Sequence, residues 1–127
     1  KKFFGEIKYH TMHANTWVYQ LGHGTEESHA KMKAALDKYW SIALGMFEEG
    51  PAEDLLISEG IFIGEKALKE KWLEVVIPLL EKSNLKVPAE DTWNPCNGGR
   101  YGKHTKHLQP LLDEMTEVFT IDPTADW

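Results

Sequence analysis

Hydrophobic residues recur at three- and four-residue steps along most of this chain, the spacing of helices that bury one face. The first stretch, Lys1 to Leu21, puts Phe4, Ile7, Ala14, Trp17, Val18 and Leu21 on one side of a helix. Beside them runs a second row, Glu6, Tyr9, His10 and His13, related by three- and four-residue steps. Gly22-His23-Gly24 stops this helix, and Thr25 ahead of Glu26 and Glu27 starts the next. The second helix, about 26 to about 47, has the clearest period: Met32, Ala35, Leu36, Tyr39, Trp40, Ala43, Leu44 and Phe47. Gly50-Pro51 ends it. Two helices joined by so tight a glycine turn pack antiparallel.

Residues 51–64 are less regular. Glu53 to Ile57 suits a helical turn or an extended connector. Gly60-Ile61-Phe62-Ile63-Gly64 reads as a buried connector, because no second stretch offers it a strand partner. A third helix, about 65 to 82, turns Leu68, Trp72, Val75, Val76, Leu79 and Leu80 inward, and Pro78 is expected to bend it near its end. A loop containing Pro88 and Pro95 follows. The glycine-rich, basic run Gly98 to His107 leads into a last helix with Thr105 as its cap. Leu108, Leu111, Leu112, Met115, Val118 and Phe119 form the apolar face of that helix, and Pro110 falls in its tolerant early turns. The tail from Asp122 is irregular. The pattern predicts one all-α domain, a helical bundle, over residues 1–127.

Composition refines this picture. A hydrophobic fraction of 42% and a charged fraction of 27% are ordinary for a globular chain, so disorder is not expected. No apolar run is long enough to cross a bilayer, and no signal pattern opens the chain. The absence of an initiator Met and of a cap before the first helix suggests a piece of something longer. A net charge of -6 argues against a nucleic-acid partner. The single cysteine, Cys96, excludes an internal disulfide and a multi-cysteine zinc site, so a reducing cytoplasm fits. Five tryptophans point to an aromatic-rich core, with a partner interface as the alternative.

Four stretches carry candidate chemistry. Glu6, His10 and His13 could hold a metal, since bundles build di-metal sites from Glu and Glu-x-x-His sets on facing helices. Tyr9 stands three after Glu6 where a histidine belongs, and no other core-facing Glu-x-x-His exists. The row therefore reads as a hydrogen-bonded polar layer or an interface row, with Glu6, Tyr9, His10 and His13 as a degenerate remnant. Glu26 and His29 share the same spacing but lie at an exposed-looking helix start, a solvated first turn. Glycine amides with Arg100, Lys103 and Lys106, and the adjoining His104 and His107, make an anion-binding or partner-docking loop. Cys96 sits in a loop with no base nearby and reads as incidental.

Several of these motifs resemble a known family. Glu6-Ile7-Lys8-Tyr9-His10, Trp17, Leu21-Gly22-His23-Gly24-Thr25-Glu26, Met32 and Trp40 are similar to the C-terminal half of the phenylacetate-degradation PaaA/PaaC family, on its accessory, PaaC-type side. Ser58-Glu59-Gly60-Ile61, Trp72, Val87-Pro88, Glu114-Met115 and Trp127 fit as well. The most specific part is Gly98-Gly99-Arg100-Tyr101-Gly102-Lys103-His104-Thr105-Lys106-His107-Leu108. The resemblance implies a ferritin-like bundle of roughly twice this length. This chain would supply the last bundle helix and the C-terminal helices.

It further implies a non-catalytic accessory subunit of a ring-1,2-phenylacetyl-CoA epoxidase in aerobic phenylacetate catabolism. Iron would then sit in a catalytic PaaA-type partner subunit and none in this chain, with phenylacetyl-CoA bound at the complex. Asp54, Leu55 and Leu56 would lie near the CoA cleft, although Asp54 repels an anion. Two other readings stay open: a di-iron oxidase using Glu6, His10 and His13, and a stand-alone helical module binding anions at Arg100, Lys103 and Lys106. An uncovered helix face predicts self-association, as a homo-oligomer or within a larger assembly.

Overall fold

A computed structural model describes residues 2–126; Lys1 and Trp127, which enter the expectations above, lie outside the described residues. Every regular element among the described residues is helical, with no strand. The helices are α1 (Lys2–Gly22), α2 (Glu26–Gly45), α3 (Glu53–Ser58), α4 (Glu65–Lys82), α5 (Leu108–Met115) and α6 (Glu117–Ile121). Short 3-10 turns occupy Glu90–Thr92 and Gly99–Tyr101. The all-α reading of the pattern therefore holds. No described helix is long and apolar enough to cross a membrane. The chain divides into two compact units, Lys1–Cys96 and Asn97–Trp127.

In the first unit α1 packs against both α2 and α4. Local chemistry sets where these helices begin and end. The Thr25 side chain accepts from the Ser28 amide at 3.1 Å, the cap expected from the sequence. α4 closes in a Schellman turn: Leu85 N donates to Leu80 O at 2.9 Å and Asn84 N to Glu81 O at 3.0 Å. Asn84 takes the left-handed position, with φ of 58°. The same turn drives Leu85 into the core beside Leu80.

That core is small. Trp40, Leu44, Leu80 and Leu85 are its buried members, with Leu44 at 1% exposure. Val18, Met32, Leu36, Trp72, Leu73, Val76, Val87 and Trp93 pack around them. Each fully buried Leu contributes on the order of 1.5–3 kcal/mol. The Trp40 ring lies 5.5 Å from Trp72 and 5.5 Å from Trp93. Trp93 Nε1 donates to Pro88 O at 2.8 Å. Three of the tryptophans thus build the aromatic core, while Trp17 stays half exposed on α1.

Close backbone crossings explain two glycines. A Cβ on Gly22 would lie 2.0 Å from Ser83 O, and one on Gly45 would lie 2.2 Å from Cys96 O. Only glycine lets α1 meet the end of α4, and α2 meet the segment at Cys96, at these distances. Cys96 N donates to Ser41 O at 2.9 Å, so Cys96 holds a backbone post although its side chain is exposed.

Of the two forms open to Glu53–Ile57, the helical one is observed, over Glu53–Ser58, with Glu53 and Asp54 as first-turn acids. Four local expectations change. α2 ends at Gly45, and Met46-Phe47 form a turn. Gly60 to Gly64 is buried only in part: Gly64 is buried and Phe62 half-buried, but Ile61 and Ile63 are exposed. Thr105 is not the cap of α5: His107 holds that position with no side-chain bond, and Thr105 instead gives its carbonyl to Leu108 N at 3.1 Å. The last helix breaks at Thr116 into α5 and α6, and apart from a half-buried Leu108 its apolar residues are exposed. Thr116 Oγ1 donates back to Leu112 O at 2.7 Å, a local bond that competes with helix continuation.

Candidate functional site

The predicted row on α1 does share one face, and it lies outside the core. Glu6, Tyr9, His10 and His13 are all exposed. Tyr9 and His13 stack, with centroids 5.9 Å apart and planes at 23°. Tyr9 meets His10 edge-on at 5.9 Å, and His13 meets Trp17 edge-on at 6.1 Å. The row is therefore ordered by ring contacts, in place of the expected hydrogen bonds. The cause is spacing: four residues put one ring over the next on successive turns. Among the described residues no group of three or more His, Cys, Asp or Glu side chains gathers as a metal site would. A di-iron centre asks for carboxylates and imidazoles from four helices. Glu6, His10 and His13 on one exposed helix do not fit it.

The apolar face of α1 departs from expectation in the same region. Phe4 is 76% exposed and Ile7 64%, and Ala14 is exposed too. Of that face only Val18 and Leu21, in the last turns, reach half burial, and Val18 packs against the core. The helix begins well beyond what α2 and α4 can cover.

The corner between α1 and α2 holds what sequence reasoning misplaces. His29, expected in a solvated first turn, is half-buried, and its Nδ1 donates to Gly22 O at 3.0 Å. His23 Nδ1 donates to Tyr19 O at 3.0 Å, and Ser28 Oγ to Leu21 O at 2.9 Å. Ser28 and His29 thus satisfy Leu21 O and Gly22 O at the end of α1, while Tyr19 O also accepts from the His23 amide at 3.1 Å.

Asp54, Leu55 and Leu56 lie on α3 and are exposed. Asp54 lines an open concavity with Glu49, Glu53 and Glu70, where Lys66 is the one cation among the lining residues. That surface has the wrong sign for a phosphate-bearing group. The residue that acts here is Glu53. Its carboxylate accepts from the Glu65 amide at 2.8 Å and from the Gly50 amide at 3.3 Å. It thereby caps α4, whose N-cap residue Gly64 has no side chain to do so. The bare Gly64 ahead of a helix was the available signal: an uncapped start needs an acceptor oxygen from elsewhere.

In the second unit, Gly98 to Lys103 forms a closed turn. Tyr101 N donates to Gly98 O at 3.0 Å, Gly102 N to Gly99 O at 3.3 Å, and Lys103 N to Gly98 O at 2.9 Å. These three amides are spent inside the turn. Arg100, Lys103, His104, Lys106 and His107 are all exposed.

Against this geometry stand two comparisons with known proteins. The family described as phenylacetic acid catabolic protein matches residues 1–127. One subunit of the 1,2-phenylacetyl-CoA epoxidase of Escherichia coli (strain K12) is 32% identical over 126 residues, covering 99% of this chain and 50% of that protein. The chain spans about half the length of this curated relative. With the whole chain matched and all of its described elements helical, the chain belongs to the phenylacetic acid catabolic protein family.

Proposed function

We propose that this chain is a non-catalytic part of the accessory subunit of a phenylacetyl-CoA epoxidase, acting in cytoplasmic phenylacetate catabolism beside a di-iron catalytic subunit. The observation that carries the reading is the α1 row. In a chain similar to an epoxidase subunit, Tyr9 stands three residues after Glu6, and the row is exposed and ordered by ring stacking. With Tyr9 where a Glu-x-x-His set has its histidine, the row offers an incomplete ligand set, which supports iron in the partner subunit. The exposed apolar face around Phe4 and Ile7 supports an assembly, because a bare stripe of this kind is normally covered by another polypeptide. The remaining helices of a ferritin-like bundle and the catalytic subunit would pack there. Phenylacetyl-CoA is then a substrate of the complex.

Iron analysis tests this reading. The purified chain is expected to hold iron far below one ion per chain, with no oxygen-dependent turnover of phenylacetyl-CoA. Stoichiometric iron that is lost in Glu6→Ala and His13→Ala would overturn it and favour the oxidase reading.

A further inference from the structure

The C-terminus of α1 carries two imidazoles side by side. Tyr19 O and Gly22 O stand three residues apart there, roughly 5 Å from each other by helix geometry. His23 Nδ1 donates to the first at 3.0 Å and His29 Nδ1 to the second at 3.0 Å. A carbonyl oxygen only accepts, so in both rings the proton sits on Nδ1 and Nε2 is left as a lone pair. Neither Nε2 has a hydrogen-bond partner among the described residues. Both rings line one open concavity of about 340 Å³, which Glu26 also lines. We propose that His23 and His29 form a two-imidazole site for a divalent transition-metal ion of the zinc and nickel class, ligated through Nε2. The site is separate from the α1 row and does not rest on the epoxidase reading.

The support behind each ring is what a metal ligand requires. A histidine that binds a metal through one nitrogen almost always donates the other N–H to a carbonyl, a carboxylate or water, which fixes its tautomer and its orientation. Here both histidines make that bond before any ion arrives. The His23 ring is held further by Tyr19, with centroids 4.4 Å apart. Neutral imidazole suits zinc, copper and nickel better than the hard cations, which prefer oxygen. Electrostatics also favour a cation here. The last turn of α1, a 21-residue helix, contains no basic residue, so the negative end of its dipole is uncompensated. The positive end of α2 faces the same corner, but the Thr25 cap and the first-turn acids Glu26 and Glu27 offset it. Among the described residues no third His, Cys, Asp or Glu gathers with the pair. Water therefore fills the remaining positions, and the ion is exchangeable rather than a closed structural one.

Titration calorimetry of zinc chloride and nickel chloride into the untagged, metal-stripped full chain tests this. Each metal is expected to bind at one ion per chain. His29→Gln keeps an N–H for Gly22 O but has no imidazole lone pair. It should weaken binding roughly tenfold or more, the lower end of what losing one supporting group costs at a metal site, with unchanged helical circular dichroism. His23→Ala should do the same. The chain has six histidines, and the paired variants His10→Ala with His13→Ala and His104→Ala with His107→Ala remove the other four. Both should bind as the wild type does. Failure of the wild type to bind either metal would overturn the proposal. So would His23→Ala and His29→Gln binding as tightly as wild type, or loss of binding in either paired variant. Iron plays no part in this titration and Glu6 stays intact, so its outcome is independent of where the iron of an epoxidase sits.

Discussion

Gly22 offers a sharp test of how the first unit is put together. A methyl group there would lie 2.0 Å from Ser83 O, 3.1 Å from Ser83 C and 3.2 Å from Ser83 Cβ. The nearest contact is backbone, and Ser83 is 0% exposed, so neither partner can swing aside. Restoring even 3.0 Å requires the two helix ends to part by 3.0 − 2.0 = 1.0 Å. A radial gap of that order forfeits roughly a quarter to a half of each affected van der Waals contact. Overpacking of this kind costs about 1–3 kcal/mol, and the better helix propensity of alanine offsets at most ~1 kcal/mol of it. The expected net loss for Gly22→Ala is about 2 kcal/mol, out of a typical ~5–15 kcal/mol. Urea unfolding followed by tryptophan fluorescence reads it, since Trp40, Trp72 and Trp93 all report on the core. With a slope of about 1–3 kcal/mol per molar, the midpoint should fall by roughly 1 M. Gly5→Ala is the matched control: nothing lies within 4 Å of its added methyl. That variant should be neutral to stabilising by up to ~1 kcal/mol. An unchanged or raised midpoint for Gly22→Ala would refute the close α1–α4 crossing.

Other perturbations address other joints. Gly45→Ala should destabilise in the same way, because its methyl would meet Cys96 O at 2.2 Å. Asn84→Gly should stabilise by a few tenths to about 1 kcal/mol in the same unfolding assay, since glycine relieves the left-handed strain at φ of 58°. Glu53→Ala should cost about 1 kcal/mol by uncapping α4, and Glu53→Gln, which keeps an acceptor oxygen, should recover most of it. Leu44→Ala should cost about 2–5 kcal/mol, as Leu44 is among the most deeply buried side chains.

The helices were legible because their signals are local. Period, the Thr25 cap and the glycine stops placed α1, α2 and α4 within two residues of their observed ends. What failed to show in the sequence depends on contacts between distant residues. Gly45 looks like an ordinary helix terminus until Cys96 is seen against it. Glu53 looks like a first-turn acid until its carboxylate is found on the Glu65 amide, 12 residues away. His29 looks solvated until Gly22 O is found beside it. The candidate site divides in the same way. The shared face of Glu6, Tyr9, His10 and His13 follows from helical spacing alone. Its exposure does not, because the apolar stripe beside it reads identically whether covered or bare.

In the function proposed above, this chain serves a catalytic subunit by packing against other polypeptide through its exposed helical face. The direct measurement is sedimentation of the chain co-expressed with a di-iron phenylacetyl-CoA epoxidase catalytic subunit. One stoichiometric complex is expected, with iron tracking the catalytic subunit and dissociation when Phe4 and Ile7 are both replaced by Asp. A chain that sediments as a separate monomer at high concentration beside an unaffected catalytic subunit would contradict it.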